Sequence, residues 1–242
     1  FGYVDAVTGS ADRCRVFRQL HETGCFVIPN PWDLGSARLL EHLGFRGNVD
    51  HYYDPRNSFL NEVLDRRIGI PITLSAVYLE VGRRIGLSVQ GVGLPGHFLV
   101  KYVGPDEELV IDPFGGGGIL SPADCQQILD RIFDGKLCFE PQMLTVVGTR
   151  QILARMLTNL KAIYFNNQEY GKALSIADRL VILHPHAAGE IRDRGLLSFQ
   201  VKRYAEASAD LERYLRLAPQ AEDSEVIREH LRTLRQRVVS LN

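Results

Sequence analysis

His97 and Asp112 are the two side chains of this 242-residue chain whose types and spacing could do chemistry together. A histidine held by a carboxylate has its tautomer fixed and its imidazolium stabilised, which is how general-base and nucleophile-orienting sites are assembled. Both residues fall in short extended runs. Val89 to Val92 reads as one strand, His97 to Tyr102 as a second and Glu108 to Ile111 as a third, the last two joined by Gly104-Pro105-Asp106 as a hairpin. With the turn centred on Gly104-Pro105, cross-strand positions sum to 209, and 97 + 112 is 209, so His97 and Asp112 are expected opposite each other on one face. The alternative is a strand histidine satisfied by a turn aspartate ahead of Pro113.

The elements that must position this pair are readable on either side of it. Pro71 suits the first position of a helix, where its missing N–H costs nothing, and Ile72 to Ile85 carries apolar residues at helical spacing. Thr73 and Ser75 supply hydroxyls near that helix start. Upstream, Asp54-Pro55 starts a helical turn, with Phe59, Leu60, Val63, Leu64 and Ile68 as an apolar stripe and Glu62, Asp65, Arg66 and Arg67 facing water. Asn57 and Asn61 share a face of that helix, either lining a pocket near Pro71 or capping local backbone. After Asp112, Pro113-Phe114 and four glycines form a loop at the pocket rim without the lysine of a phosphate loop. Ser121-Pro122-Ala123-Asp124 then caps a helix with Ile128, Leu129, Ile132 and Phe133 in the core.

The strings Gly44-Phe-Arg-Gly-Asn48, Tyr52-Tyr-Asp-Pro-Arg-Asn-Ser-Phe-Leu-Asn-Glu-Val-Leu-Asp-Arg-Arg67, Gly69-Ile-Pro-Ile-Thr-Leu-Ser75 and Gly93-Leu-Pro-Gly-His-Phe-Leu-Val100 resemble the SirB-type transglutaminase-like family, bacterial proteins with a tetratricopeptide tail and a related domain in an animal F-box protein. The resemblance runs from about Gly44 to the C-terminus. It implies an α+β fold: a papain/transglutaminase-like domain of helices packed on a small antiparallel sheet, followed by an all-α tail of tetratricopeptide type. Active relatives place a cysteine at a helix start, a histidine at a strand start and an aspartate at the end of the next strand. His97 and Asp112 match the last two. Counting back from Gly86, the cysteine's place falls at or beside Pro71, and no cysteine lies between Cys25 and Cys125. The resemblance therefore implies a degenerate triad, with Asn57, Asn61, Pro71, Thr73, Ser75 and Gly96 left as candidate lining of a binding pocket.

Residues 11 to 46 follow another pattern. Phe17-Arg-Gln-Leu through Cys25-Phe-Val-Ile-Pro-Asn-Pro-Trp-Asp33 to Leu43-Gly-Phe45 resembles the N-terminal start of the isocitrate lyase and phosphoenolpyruvate mutase family. It reads as a helix, the strand Cys25 to Pro29, a turn and a helix from Gly35 to Leu43, one βα unit of a barrel. A single unit closes no barrel, so no lyase chemistry is assigned to it. A fusion or a leftover recruited helix is the expectation, and because the chain opens with Phe1 rather than Met, so is a fragment or processed product.

From about Thr149 onward the chain repeats. Tyr170, Ala173 and Pro185 recur 34 residues later as Tyr204, Ala207 and Pro219. Two helix pairs are expected over residues 154–187 and 188–221, closed by a helix Ser224 to Val239 with Val226, Ile227, His230, Leu231, Leu234 and Val238 on its inner side. The expected organisation is thus 1–46, 47–150 and 151–242. At 45% hydrophobic and 24% charged the chain has the composition of a soluble globular protein; its net charge of −1 argues against a nucleic-acid surface or a polybasic anchor, local basic patches aside, and no apolar run reaches the length of a membrane span. Cys14, Cys25, Cys125 and Cys138 show no metal-binding spacing, so reduced thiols in the cytoplasm, no metal and no cofactor are expected. Three functions compete: a non-catalytic regulatory or interaction protein that meets a protein or peptide through its helical repeats, a hydrolase or acyl transferase with Thr73 or Ser75 as nucleophile, and a lyase or mutase supported by the N-terminal pattern alone.

Overall fold

A computed structural model describes residues 43–240 apart from residue 106, with side chains to residue 234. The βα unit, including its helix from Gly35 as far as His42, therefore lies outside the described residues. At their edge, Leu43 packs on the first core and its carbonyl accepts from Arg67 Nη1 at 2.7 Å.

The chain divides into two compact units, residues 43–52 with Leu60–Val147, and Tyr53–Phe59 with residues 148–240. In the first, β1 (Arg46–Gly47) pairs in parallel with β2 (Ile68–Gly69), on either side of helix α1 (Leu60–Arg66). Helix α2 (Pro71–Arg84) follows, with Pro71 at its first turn as its fixed φ allows. Then come β3 (Val89–Leu94), β4 (His97–Val103), β5 (Glu108–Asp112), β6 (Gly118–Leu120), α3 (Pro122–Phe133) and β7 (Thr145–Val147). The last five strands form one antiparallel sheet in the order β6-β5-β4-β3-β7. Alternation along β4 divides its side chains between two cores: Val100 joins Phe45, Val63, Leu74, Val77, Tyr78 and Ile111 under α2, and Leu99 joins Val92, Leu94, Ile128 and Leu129 under α3. Ser121 and Asp124 cap α3 as expected, with Ser121 N–H bonded to Asp124 Oδ2 at 2.8 Å.

Several readings change in detail. The β4–β5 ladder pairs Val100 with Ile111 and Val103 with Glu108, a sum of 211 rather than 209. The connection runs over residues 104–107, one residue longer than the expected Gly104-Pro105-Asp106, and Gly104 N–H bonds Glu107 O across it at 2.8 Å. The helix expected from Asp54 onward is two pieces, because Phe59 at φ −101°, ψ 118° is extended and separates the 3-10 turn Pro55–Ser58 from α1. Its stripe is correspondingly uneven: Val63 is fully buried, whereas Phe59, Leu60 and Leu64 are exposed. Ile132 on α3 is exposed too, and Cys138 is an exposed thiol. Strands β1, β2, β6 and β7 carry two or three residues each, too few for a periodicity to register.

The second unit consists of α4 (Thr149–Asn166), α5 (Tyr170–Leu183), α6 (Ala188–Gln200), α7 (Tyr204–Leu217) and α8 (Ser224–Ser240). The helices fall where the repeat placed them, with Tyr170 and Tyr204 each opening the second helix of a pair. On α8, Ile227, Leu231 and Leu234 are buried while Val226 is 58% exposed, one residue off the buried stripe. Lys161 is buried between the carboxylates of Glu190 and Asp193, both at 2.7 Å. Burial works against its charge, but the bonds to Asp193 and Glu190 outweigh it and hold the pKa above that of an ordinary lysine. Arg194 grips Asp210 with two nitrogens at 2.6 and 2.7 Å, joining α6 to α7.

Gly195 lets α6 and α7 approach closely, since a Cβ there would lie 2.9 Å from Leu211 Cδ2 and 3.2 Å from Asp210 Cβ. Leu211 is fully buried and has nowhere to turn. Gly195→Ala is expected to destabilise the helical unit by about 1–3 kcal/mol despite alanine's better helix propensity. A lower urea midpoint of the far-ultraviolet signal checks this, and an unchanged or higher midpoint refutes it.

Candidate functional site

The turn Leu94-Pro95-Gly96-His97 delivers the histidine. Leu94 pairs with His97 across a two-residue connection, with Pro95 first and Gly96 second at φ +70°. Proline pre-sets the first position of such a turn and glycine alone takes the second without strain. A Cβ at Gly96 would also lie 2.7 Å from Ile132 Cγ2, so the turn requires this glycine on two counts. His97 consequently begins β4 with its ring inside the fold, 8% exposed.

Asp112 ends β5 and is 7% exposed. Its Oδ1 lies 2.9 Å from His97 Nε2, so the ring carries a proton on Nε2 facing the carboxylate. The corrected register moves Asp112 two positions along from the expected partner of His97, and a shift of two preserves the pleat face, which is why the side chains still meet. The same Oδ1 accepts from Phe114 N–H at 3.0 Å, and the Asp112 carbonyl accepts from Gly117 N–H at 2.8 Å. Gly116 and Gly117, at φ +86° and +80°, fold the loop back to make that bond.

Phe114 was not among the residues singled out from the sequence, and it roofs the pair. Its ring meets the His97 ring edge to face at 5.9 Å and the Tyr52 ring at 6.0 Å. It also packs against Gly47 in β1, where a Cβ would come 2.6 Å from two ring carbons. The chain order Asp112-Pro113-Phe114 ahead of a glycine run does not by itself mark the ring as a cover.

The other candidates separate. Thr73 is fully buried and works on its own helix: Oγ1 accepts from Ile70 N–H and donates to Ile70 O, both at 3.1 Å. Ser75, equally buried, donates to Phe98 O at 3.4 Å. Pro71 is buried at the start of α2. Asn57 is fully buried and belongs to the helical unit, whereas Asn61 is exposed on α1, because the break at Phe59 removes their common face. Cys125 is buried on α3, and burial, followed by the carboxylates of Asp124 and Asp112, pushes its thiol pKa up, the opposite of nucleophile activation. Cys14 and Cys25 lie outside the described residues. Among the described residues no group of three or more His, Cys, Asp or Glu side chains could hold a metal ion, and no helix is long and apolar enough to cross a membrane.

Comparison with known proteins places these features. Residues 36–158 match the profile of the transglutaminase-like superfamily and residues 160–232 that of the tetratricopeptide repeat. The chain is 41% identical over 210 residues to a UPF0162 protein of Xylella fastidiosa, covering 83% of this chain and 74% of that one. It is 30% identical over 192 residues to a UPF0162 protein of Vibrio cholerae, covering 79% and 71%. With the mouse F-box only protein 21 it shares 33% over 130 residues, half of this chain and 20% of that one.

Two expectations follow from the roof and the pair. Phe114→Ala should open His97 to diethyl pyrocarbonate, so that the modified peptide, faint in the wild type, becomes prominent by mass spectrometry; equal labelling would remove Phe114 as a cover. Asp112→Ala should cost about 1–3 kcal/mol, because it strands the buried Nε2–H of His97 and the Phe114 N–H, and chemical denaturation measures it.

Proposed function

This chain belongs to the transglutaminase-like superfamily, among the UPF0162 proteins, and on that premise we propose that it is a non-catalytic protein of regulatory type. It carries a degenerate transglutaminase-like site and acts by holding a protein or peptide partner through its helical repeats. The observation that carries this reading is Pro71 at the start of α2: the resemblance puts the nucleophile at or beside it, and proline has no nucleophilic group.

Three further observations support it. The hydroxyls nearest in sequence, Thr73 and Ser75, are fully buried and spend their hydrogens on main-chain carbonyls, so neither is presented to a substrate. The His97–Asp112 pair lies beneath Phe114, which leaves it as a structural tie between strand ends or a recessed binding feature. Relatives with the same pairing of domains and the near-neutral net charge favour a protein partner over nucleic acid or a membrane surface. The free thiols Cys125 and Cys138 suit a reducing compartment, for which we take the cytoplasm.

The second reading, an acyl transferase or hydrolase with an unconventional nucleophile, draws on the 2.9 Å bond between His97 and Asp112, the arrangement a general base uses. One experiment separates the two. Purified chain and its His97→Ala variant are assayed for hydrolysis of aryl esters and for deamidation or amine transfer on a glutamine-containing peptide. The expected result is no turnover above buffer in either protein, before or after thiol alkylation. Turnover that disappears in His97→Ala would overturn the proposal in favour of the enzyme, and loss on alkylation would point to a cysteine.

A further inference from the structure

The helical unit contains its own control for what its first repeat lacks. In the second repeat, the face formed by α6 and α7 is covered by α5: Val181 of α5 packs in one cluster with Ile191, Ala207 and Leu211, Asp178 faces Arg194 at 3.6 Å, and Arg213 donates to Pro185 O at 2.6 Å. Under that cover Ile191 is fully buried. The 34-residue period maps this face onto α4 and α5, taking Ala187 to Leu153, Glu190 to Met156, Ile191 to Leu157, Arg194 to Leu160 and Asp210 to Ile176.

Four of these five positions, polar or small in the second repeat, become Leu, Met, Leu and Ile in the first, and Ile191 becomes Leu157, while at the rim Ser175 stands where the second repeat has Ala209. An array that ended here would need the reverse, since terminal repeats keep a polar outer face to stay soluble. Within this unit the face meets the 3-10 turn Pro55–Ser58 and Phe59, and a groove of ≈ 350 Å³ remains, lined by Leu153, Met156, Leu157 and Ile176 with Lys172 and Arg179 among its walls. Leu153 and Phe59 stay 44% and 39% exposed. The charge also changes: Lys172 stands where the second repeat has Glu206, Arg179 matches Arg213, and among the described residues no carboxylate lines the groove. Glu169 shares Lys172 at the edge, and Arg179 bonds the Ser175 hydroxyl on its own helix.

We propose that this groove is the partner-docking surface of the protein, and that its occupant is an amphipathic helix of another protein with acidic residues flanking its apolar stripe, laid along the part of the α4–α5 face that the 3-10 turn and Phe59 leave open. The proposal rests on the interaction reading above and specifies where and what that interaction is. Helical shape follows from the geometry the second repeat accepts, and acidity from the two cations beside an apolar floor. Apolar burial at the centre supplies the affinity, and the cations select the partner and its orientation.

The test uses the whole chain and fluorescein-labelled helical peptides of about 20 residues, long enough to hold a helix on a surface. One carries leucine at helical spacing with glutamate on the flanks, a second has lysine in place of the glutamate, and binding is followed by anisotropy. The glutamate peptide is expected to bind saturably and the lysine peptide not to. Leu153→Glu and Met156→Glu should each weaken binding by about tenfold or more, as loss of a central apolar contact does. The exposed pair Lys172→Glu with Arg179→Glu, whose fold is checked by circular dichroism, should reverse the peptide preference. No binding of the glutamate peptide, equal binding of both, or binding indifferent to all four substitutions would overturn the proposal. So would concentration-dependent self-association abolished by Leu153→Glu, which would make a second copy of the chain the occupant. His97-dependent turnover would instead remove the non-catalytic reading while leaving these binding results as they are, so the two failures are distinguishable.

Discussion

A buried carboxylate has to find donors for its oxygens, and Asp112 finds them in a way that fixes one end of the sheet. Its Oδ1 takes the Nε2–H of His97 and the N–H of Phe114, and its carbonyl takes the N–H of Gly117. The start of β4, the end of β5 and the return of the glycine loop are thereby tied to one residue. The loop is short and glycine-rich because it must turn back onto the Asp112 carbonyl within five residues, and Gly115, whose Cβ would come 2.8 Å from Asp112 Oδ2, has no room for a side chain. Phe114 is then carried over His97, and Gly47 is small because the ring rests on it. The His97–Asp112 contact is thus a buried polar tie between strand ends, with the Phe114 ring against it.

The helical unit is organised by a different balance. Its second repeat stacks through charges as much as through apolar contact: Lys161 between Glu190 and Asp193, Arg194 on Asp210, and Arg192 on Asp193 and Asp223 at 2.9 and 2.8 Å. Pairs of this kind contribute little net stability in the interior but penalise any misregistered stacking, because each mismatch would leave a half-buried charge alone. At three of these positions the first repeat presents carbon instead, Met156, Leu160 and Ile176 standing where the second has Glu190, Arg194 and Asp210, so the two faces are not interchangeable.

How much of this could be read from the sequence divides along physical lines. Helices with long periodic stripes and explicit caps, such as α2 behind Pro71 and α3 behind Ser121 and Asp124, were legible, as was the 34-residue repeat with its tyrosines and prolines. The meeting of His97 with Asp112 was reached through a register two residues off, and survived because an even error preserves the face. An odd error would have failed. Asn57 and Asn61 show the opposite case: one extended residue, Phe59, broke the helical phase that related them. Strands of two or three residues and the covering role of Phe114 were not legible, since they arise from long-range pairing and ring packing that leave no local pattern.

The sheet that carries His97 is bounded by β6 and β7, three residues each, with the longer β3, β4 and β5 between them. Exposed strand edges template growth by strangers, and the hazard rises with the length of flat, unpaired backbone they offer. Among the described residues a would-be recruit finds at most three residues of backbone on either flank, while the aggregation-prone Phe98-Leu-Val100 run is sealed between neighbours in the middle of the sheet. The short flanks thus withhold strand addition, the mode of association that does not discriminate among partners.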